Sequence, residues 1–333
     1  MKKKSLIVST LFLGLVLVGT LLTVTQTTGA DVQTLTAARV SKAPAALDDA
    51  AWQKAKAVDV PFVGKEKFAG KKAVVTTRAL YTDSEVFFLF KWKDATQSIT
   101  KGAWQFDGEK WGKLKGDEDR IALQFEINRI NNFATKGCAV LCHGPAGAPM
   151  KEFKYATASA AEKGDLWHWK AARSAPYRHA DDGWLTVAGN PSGSYRETGR
   201  RNDAGSGGDI KNETPDGSRP LYMQDPARKP SAPGFLLVEE AVLIADYSIF
   251  KAGDVIPYRL PVKPGGSRFD VKAESRHADG RWTVMLHRKF NTGQEDDVVF
   301  DPRKRFSFAI AVFDDTGGDH SKATRSLVLN FKR

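Results

Sequence analysis

The chain has 333 residues, 50 Lys and Arg against 39 Asp and Glu, a formal net charge of +11, and two cysteines. That length supports one large core or two modest ones. Two cysteines cannot build a zinc site of two Cys pairs, because structural zinc takes four ligands. The basic residues are spread out (Lys65, Lys67, Lys71, Lys72; Arg200, Arg201; Arg303, Lys304, Arg305) with no long basic run. Such a surface is solvated and suited to steering an acidic protein partner.

The N-terminus reads Met1-Lys2-Lys3-Lys4, an apolar run from Leu6 to Val24, then Thr28-Gly29-Ala30. A basic start, an apolar stretch and small residues make an export signal over residues 1–30. The run exceeds the ~7–15 residues usual for a signal and approaches the ~20 that span a bilayer, so an uncleaved membrane anchor is the alternative. Either way the rest of the chain is expected in the periplasm, where nucleic acid is not a partner. No other apolar run is long enough to span.

Ala46 to Ala55 places Asp48-Asp49 ahead of Trp52, which suits a helical turn capped by Asp. Residues 73–81 and 86–92 are rich in β-branched and aromatic side chains and flank Thr82-Asp83-Ser84, the pattern of a hairpin. Residues 120–127 alternate as a further strand. From about 128 to 233 the chain becomes rich in Gly, Pro, Ser, Asn and Asp, with scattered apolar residues. A loop region this long is functional or disordered, and this one holds Cys138, Cys142, His143, Met150, His168, His179 and Met223. Strand patterns resume at 235–239, 242–245, 269–275 and 282–288, the last two around Asp279-Gly280, a strong hairpin signal. Residues 306–313 and 326–331 close the chain around a polar loop. With no long amphipathic helix, the pattern is mainly β: a single antiparallel β-sandwich over 31–333, immunoglobulin-like or DOMON-like, interrupted by a long irregular insertion at 128–233.

Gly137-Cys138-Ala139-Val140-Leu141-Cys142-His143-Gly144 contains both cysteines. Cys-x-x-Cys-His is a covalent haem attachment pattern, and here one extra residue separates the thiols. Two thiols add to the haem vinyl groups and the following His ligates iron, so Cys138 and Cys142 are expected to hold one haem c and His143 to be its proximal ligand. A Cys138–Cys142 disulfide and a zinc site with His143 remain open alternatives. For the distal position, His320 in Gly317-Gly318-Asp319-His320-Ser321-Lys322 comes first, with Lys322 less favoured. Met223 in Tyr222-Met223-Gln224-Asp225-Pro226 is second, then His168 and Met150. As ordinary residues, His320 would be a solvated loop histidine, His168 a ring packed beside Trp167 and Trp169, and Met223 a core gap-filler. His179, His277 and His287 read as ordinary loop or strand-face residues.

Several segments carry a resemblance. Leu47-Asp48-Asp49-Ala50-Ala51-Trp52 resembles the opening of carbohydrate-binding and DOMON-type sandwich domains. Gly137 to His143, Asp165-Leu166-Trp167-His168-Trp169-Lys170-Ala171, Asp279-Gly280-Arg281-Trp282 and Phe313-Asp314-Asp315 through His320-Ser321 resemble the ethylbenzene-dehydrogenase-like haem-binding family. The resemblance implies a sandwich and haem electron transfer, with redox proteins as partners: a molybdenum oxidoreductase of the dimethyl-sulfoxide-reductase type, or a quinol-linked membrane cytochrome. The best-known members bind haem b through Met and Lys, whereas this chain carries the Cys pair. The expectation is a c-type cytochrome of the cell envelope, serving anaerobic-type respiration and not itself an enzyme. The alternatives are a haem subunit docked on a molybdenum enzyme, or a haem-free ligand-binding sandwich with a Cys138–Cys142 disulfide.

Overall fold

A computed structural model describes residues 33–64, 72–143, 154–189, 198–232, 234–318, 320–323 and 326–332. The expected export segment and Met150 lie outside these residues. Among the described residues no helix is long and apolar enough to cross a membrane.

Thirteen strands make one large sheet. In chain order they are β1 (Thr34–Arg39), β2 (Val58–Gly64), β3 (Lys72–Tyr81), β4 (Glu85–Lys93), β5 (Arg120–Asn128), β6 (Lys163–Lys170), β7 (Asp181–Leu185), β8 (Arg200–Asn202), β9 (Lys272–Ala278), β10 (Arg281–Lys289), β11 (Phe306–Phe313), β12 (Ser321–Ala323) and β13 (Leu327–Phe331). The spatial order is β8-β7-β6-β5-β11-β12-β2-β3-β4-β10-β9, antiparallel throughout. The terminal strands add a parallel strap: β1 runs parallel to both β13 and β3, while β13 pairs antiparallel with β11.

The sheet faces itself across an aromatic core, which makes the expected sandwich. Strands alternate their side chains between two faces. Phe88 of β4 meets Phe125 of β5 at 6.0 Å, Trp167 of β6 at 5.9 Å and Phe308 of β11 at 5.9 Å between ring centroids. Trp92 of β4 and Trp282 of β10 both reach Trp169 of β6. All of these rings are buried. The Asp49 carboxylate accepts from the Ala51 amide at 2.7 Å and starts the short 3-10 turn Ala50–Lys54, as the Asp pair implied. Asp279 and Gly280 both have positive φ (51° and 62°) and join β9 to β10, the backbone that an Asp-Gly hairpin requires.

A branched ionic group is buried in this core. Arg288 of β10, 1% exposed, donates to Asp165 of β6 at 2.8 Å, Asp182 of β7 at 3.0 Å and Asp297 at 2.7 Å, and its guanidinium lies 4.9 Å from the Trp167 ring centroid. It ties one layer of the sandwich to the other.

The stretch 128–233 is more regular than its composition suggests. It supplies β6, β7 and β8, which extend the main sheet beyond β5. β6 is buried on both faces, so it lacks the apolar–polar alternation of a half-exposed strand. At 235–239 the expected strand is absent: Val238–Glu240 is a 3-10 turn, and Leu236 and Leu237 are buried. A short apolar run marks burial there rather than extended pairing.

Because Phe88 touches three strands of the opposite layer, Phe88→Ala should lower unfolding free energy by about 3–5 kcal/mol, read by urea denaturation. A loss below about 1 kcal/mol would mean that the two layers do not pack through this ring.

Candidate cofactor site

The outer face of β6, β5 and β11 is built differently from the inner one. Across the three strands His168, Ala122 and Ala311 stand in one row, and Leu166, Gln124 and Ala309 in the next. Their neighbours Trp167, Leu123 and Ile310 point into the core. Three alanines leave this face hollow, and a cavity of about 230 Å³ lies over it.

The roof of that cavity is the segment with both cysteines. Phe133, Cys138 and Leu141 form a small apolar cluster with Ile130, Leu185 of β7 and Ala309 of β11. Ser326 donates to the Phe133 carbonyl at 2.6 Å and ties the start of this segment to the C-terminal strands. Gly137, at φ +60°, turns the chain into the 3-10 helix Gly137–Leu141, a conformation that glycine takes without steric cost. Cys142 then pairs with Tyr155 in a two-residue ladder, and Tyr155 Oη donates to Gln124 Oε1 at 2.5 Å, so roof and floor are joined. Cys138 is buried, Cys142 half-buried, and both line the cavity. Burial, with the Cys138 and Cys142 thiols adding to it, holds the Tyr155 phenol well above its ordinary range.

His168 and His320 line the same cavity. His168 is 5% exposed, and neither ring nitrogen has a hydrogen-bond partner. Burial, followed by the nearby charges of Lys170, Arg200 and Arg120, pushes its pKa well below 6.5, so the ring is neutral. His320 comes from the loop between β11 and β12; its Nδ1 lies 2.8 Å from the Gly318 carbonyl oxygen and its ring 4.9 Å from Phe313. Phe313 thus contacts both imidazoles, with His168 at 5.6 Å between ring centroids.

The structure therefore brings together Cys138, Cys142, His320 and His168. The His143 side chain is outside the described residues, as are those of Lys322 and Met150. Met223 is elsewhere, in a two-strand ladder packed against the cluster around Trp104, which leaves it off this cavity. His179 packs on Phe269, His277 faces the Asp94 carbonyl, and His287 stacks on Phe87 with its pKa lowered by burial to about 4. His168 does not pack beside Trp167 and Trp169: the strand period puts both tryptophans in the core and the imidazole on the opposite face. The signal was present in Trp167-His168-Trp169, once the segment is read as a strand.

A neutral, unpartnered imidazole inside a cavity lined by two thiols and three alanines, with Arg120, Lys154 and Arg200 in the same wall, is a donor set suited to a flat iron cofactor with acidic substituents. His, in its neutral form, ligates haem iron, and thiols attach the macrocycle. The residues fit a haem.

The sequence profile of the ethylbenzene dehydrogenase family matches residues 49–325. Among curated proteins none matches the chain. Similar solved structures include a putative carbohydrate-binding protein from Bacteroides uniformis, 9% identical, with 91% of this chain and 100% of that one covered at a TM-score of 0.36. Another is a family 9 carbohydrate-binding module from Caldicellulosiruptor kristjanssonii in complex with glucose, 7% identical, covering 88% of this chain and 94% of that one at a TM-score of 0.33.

The depressed His168 pKa has a stability consequence with a defined sign. The unfolded chain takes up this proton near pH 6.5 and the cofactor-free folded protein does not, so folding is favoured above pH 6.5 and loses stability as pH falls below it. Urea unfolding of cofactor-free wild type and of His168→Leu, from pH 8 to 5.5, should differ in slope by up to about 1.4 kcal/mol per pH unit below 6.5. Equal slopes would place the His168 pKa at its ordinary value.

Proposed function

The chain belongs to the ethylbenzene dehydrogenase family, and from that premise we propose that it is an electron-transfer protein of the cell envelope carrying one haem c between Cys138 and Cys142 and the face of β6, β5 and β11. The observation that carries this reading is His168, a buried neutral imidazole with two unpartnered nitrogens in the cavity that both cysteines line. When bound, the haem supplies an iron that passes single electrons between ferric and ferrous states. Cys138 and Cys142 would hold it by thioether bonds, and His143, directly after Cys142, would be the ligand that this pattern gives to the iron. His168 replaces His320 as our choice for the second residue that would ligate the iron. Its ring is buried and has no other role, whereas His320 is half-buried, with Nδ1 against its own loop.

The rest of the wall supports the same assignment. Ala122, Ala309 and Ala311 leave room for a flat ring, and Leu166 and Phe313 keep water from it, which sets the potential of such centres. Arg120 and Arg200 add positive charge to the wall, the complement of the two haem propionates. The proposed compartment is the periplasm, reached through the N-terminal segment. The dispersed basic charge suits transient docking to an acidic redox partner, whether a molybdenum oxidoreductase or a quinol-linked membrane cytochrome. With His143 and His168 both given to the iron, the protein would relay electrons and perform no bond chemistry of its own.

The test is the pyridine haemochrome spectrum of protein exported in a host with haem c maturation, taken after acid–acetone extraction. A c-type band that stays with the protein is expected. His168→Ala should keep the band and convert a low-spin spectrum to a high-spin one, while His320→Ala and Met223→Leu stay low-spin. A high-spin spectrum in His320→Ala alone would return the axial role to His320. Haem that is extracted would overturn the covalent assignment, and protein without haem would make the chain a ligand-binding sandwich.

A further inference from the structure

The acids around Arg288 outnumber their counter-charge. Asp165, Asp182 and Asp297 each bond to its guanidinium. Two more acids stand behind them: one carboxylate oxygen from each of Asp203, Asp296 and Asp297 lies within 4.8 Å of the others. Among the described residues, neither Asp203 nor Asp296 is in an ion pair. Asp203 is 4% exposed and both of its carboxylate oxygens are buried without a hydrogen-bond partner, as is Oδ1 of Asp165. A buried carboxylate is retained only when it is paired, protonated or bound to a metal. Arg288 already occupies the space among Asp165, Asp182 and Asp297, so the unmet demand lies on the side of Asp203 and Asp296.

We propose that Asp203, Asp296 and Asp297 bind one calcium ion at the end of the sandwich where β8 meets the loop before β11. The donors are carboxylate oxygens, which select a hard cation. They come from two separate irregular segments, one just after β8 and one in the loop before β11. Calcium tolerates such flexible geometry, whereas magnesium demands near-ideal octahedral ligation and gives up its waters reluctantly. Asp296 is half-buried and gives an ion a route from solvent. Asp297 belongs to both groups, so the ion sits beside the Arg288 network and adds positive charge where five acids surround one guanidinium. The ion would tie β8, and through it β7 and β6, to the loop that leads into β11. These elements support the cofactor cavity, but the site stands apart from it and is independent of whether haem is bound.

The experiment is calorimetric titration of calcium chloride into the full chain stripped with EDTA, alongside thermal unfolding with EDTA and with about 10 mM calcium, above the 10⁻⁴–10⁻³ M typical of extracellular sites. One calcium per chain and a rise in Tm of several degrees are expected. Asp203→Asn keeps the shape and removes repulsion, so in EDTA it should be at least as stable as wild type yet lose at least tenfold in calcium affinity. Three results would overturn the proposal: no heat and no Tm shift in wild type, which would leave the acids neutralised by protons; an unchanged affinity in Asp203→Asn; or magnesium binding as tightly as calcium.

Discussion

The two-residue period of three adjacent strands is the constraint on which the rest of this molecule depends. β6, β5 and β11 present Trp167, Phe125 and Phe308 to the core, and the same backbone presents His168, Ala122 and Ala311 to the cavity. Core and site are therefore one object seen from two sides. A register slip by one residue would exchange the faces, putting aromatics into the cavity and an imidazole into the core. The aromatic packing against Phe88 and Trp92 fixes that register. Its large apolar burial, at roughly 25 cal/mol per Å², makes the slip far more costly than anything the cavity itself contributes. The precision of the site is borrowed from the core.

The ionic network works at the same junction. Arg288 approaches β6 and β7 from β10, in the opposite layer, and Asp165 lies on β6 three positions before His168. Removing one partner of such a buried group leaves an uncompensated charge and costs more than the network contributes in net stability. Its value is therefore specificity: it admits one relative placement of β10 against β6 and β7. Gln124 does comparable work on the cavity side, donating from Nε2 to the Asp165 carbonyl at 3.0 Å and accepting from Tyr155 through Oε1. Floor, roof and ionic network are linked through two side chains.

Much of the sandwich was legible in the sequence, and what was not has physical causes. β3, β4, β5, β10 and β11 each show β-branched and aromatic alternation, and Asp279-Gly280 announced its turn. β1 pairs only with distant segments, and β2 carries Pro61 within it, a residue that argues against a strand in the sequence. β6 was hidden because both of its faces are buried, which erases the alternation, and because Gly164 and Asp165 look like loop residues. Its neighbour β8 is three residues long. The Cys pair was visible at once because its chemistry is local. That His168 and His320 share a cavity with it depends on the pairing of β5 with both β6 and β11, a contact between segments far apart in the chain. Met223 was ranked on the Tyr and Pro turn beside it and His320 on the family resemblance, which places a Lys ligand in or near its loop, and only His320 reaches the cavity.

The case for His168 rests finally on cost. Burying a polar group without a partner costs about 1–3 kcal/mol, and an imidazole carries two nitrogens of which one donates and one accepts. Beside it, Lys170 is buried as well, but it pairs with Asp181, and His179 lies within 3.7 Å of the same carboxylate. His168 alone among these neighbours meets no carboxylate or carbonyl. A leucine would fill the same space on β6 without that penalty, as Leu166 does in the next row. The imidazole is therefore not explained by packing, and it lines the cavity that Cys138 and Cys142 also line. A residue that weakens the fold in the cavity that both cysteines line is what the proposed ligand role would account for.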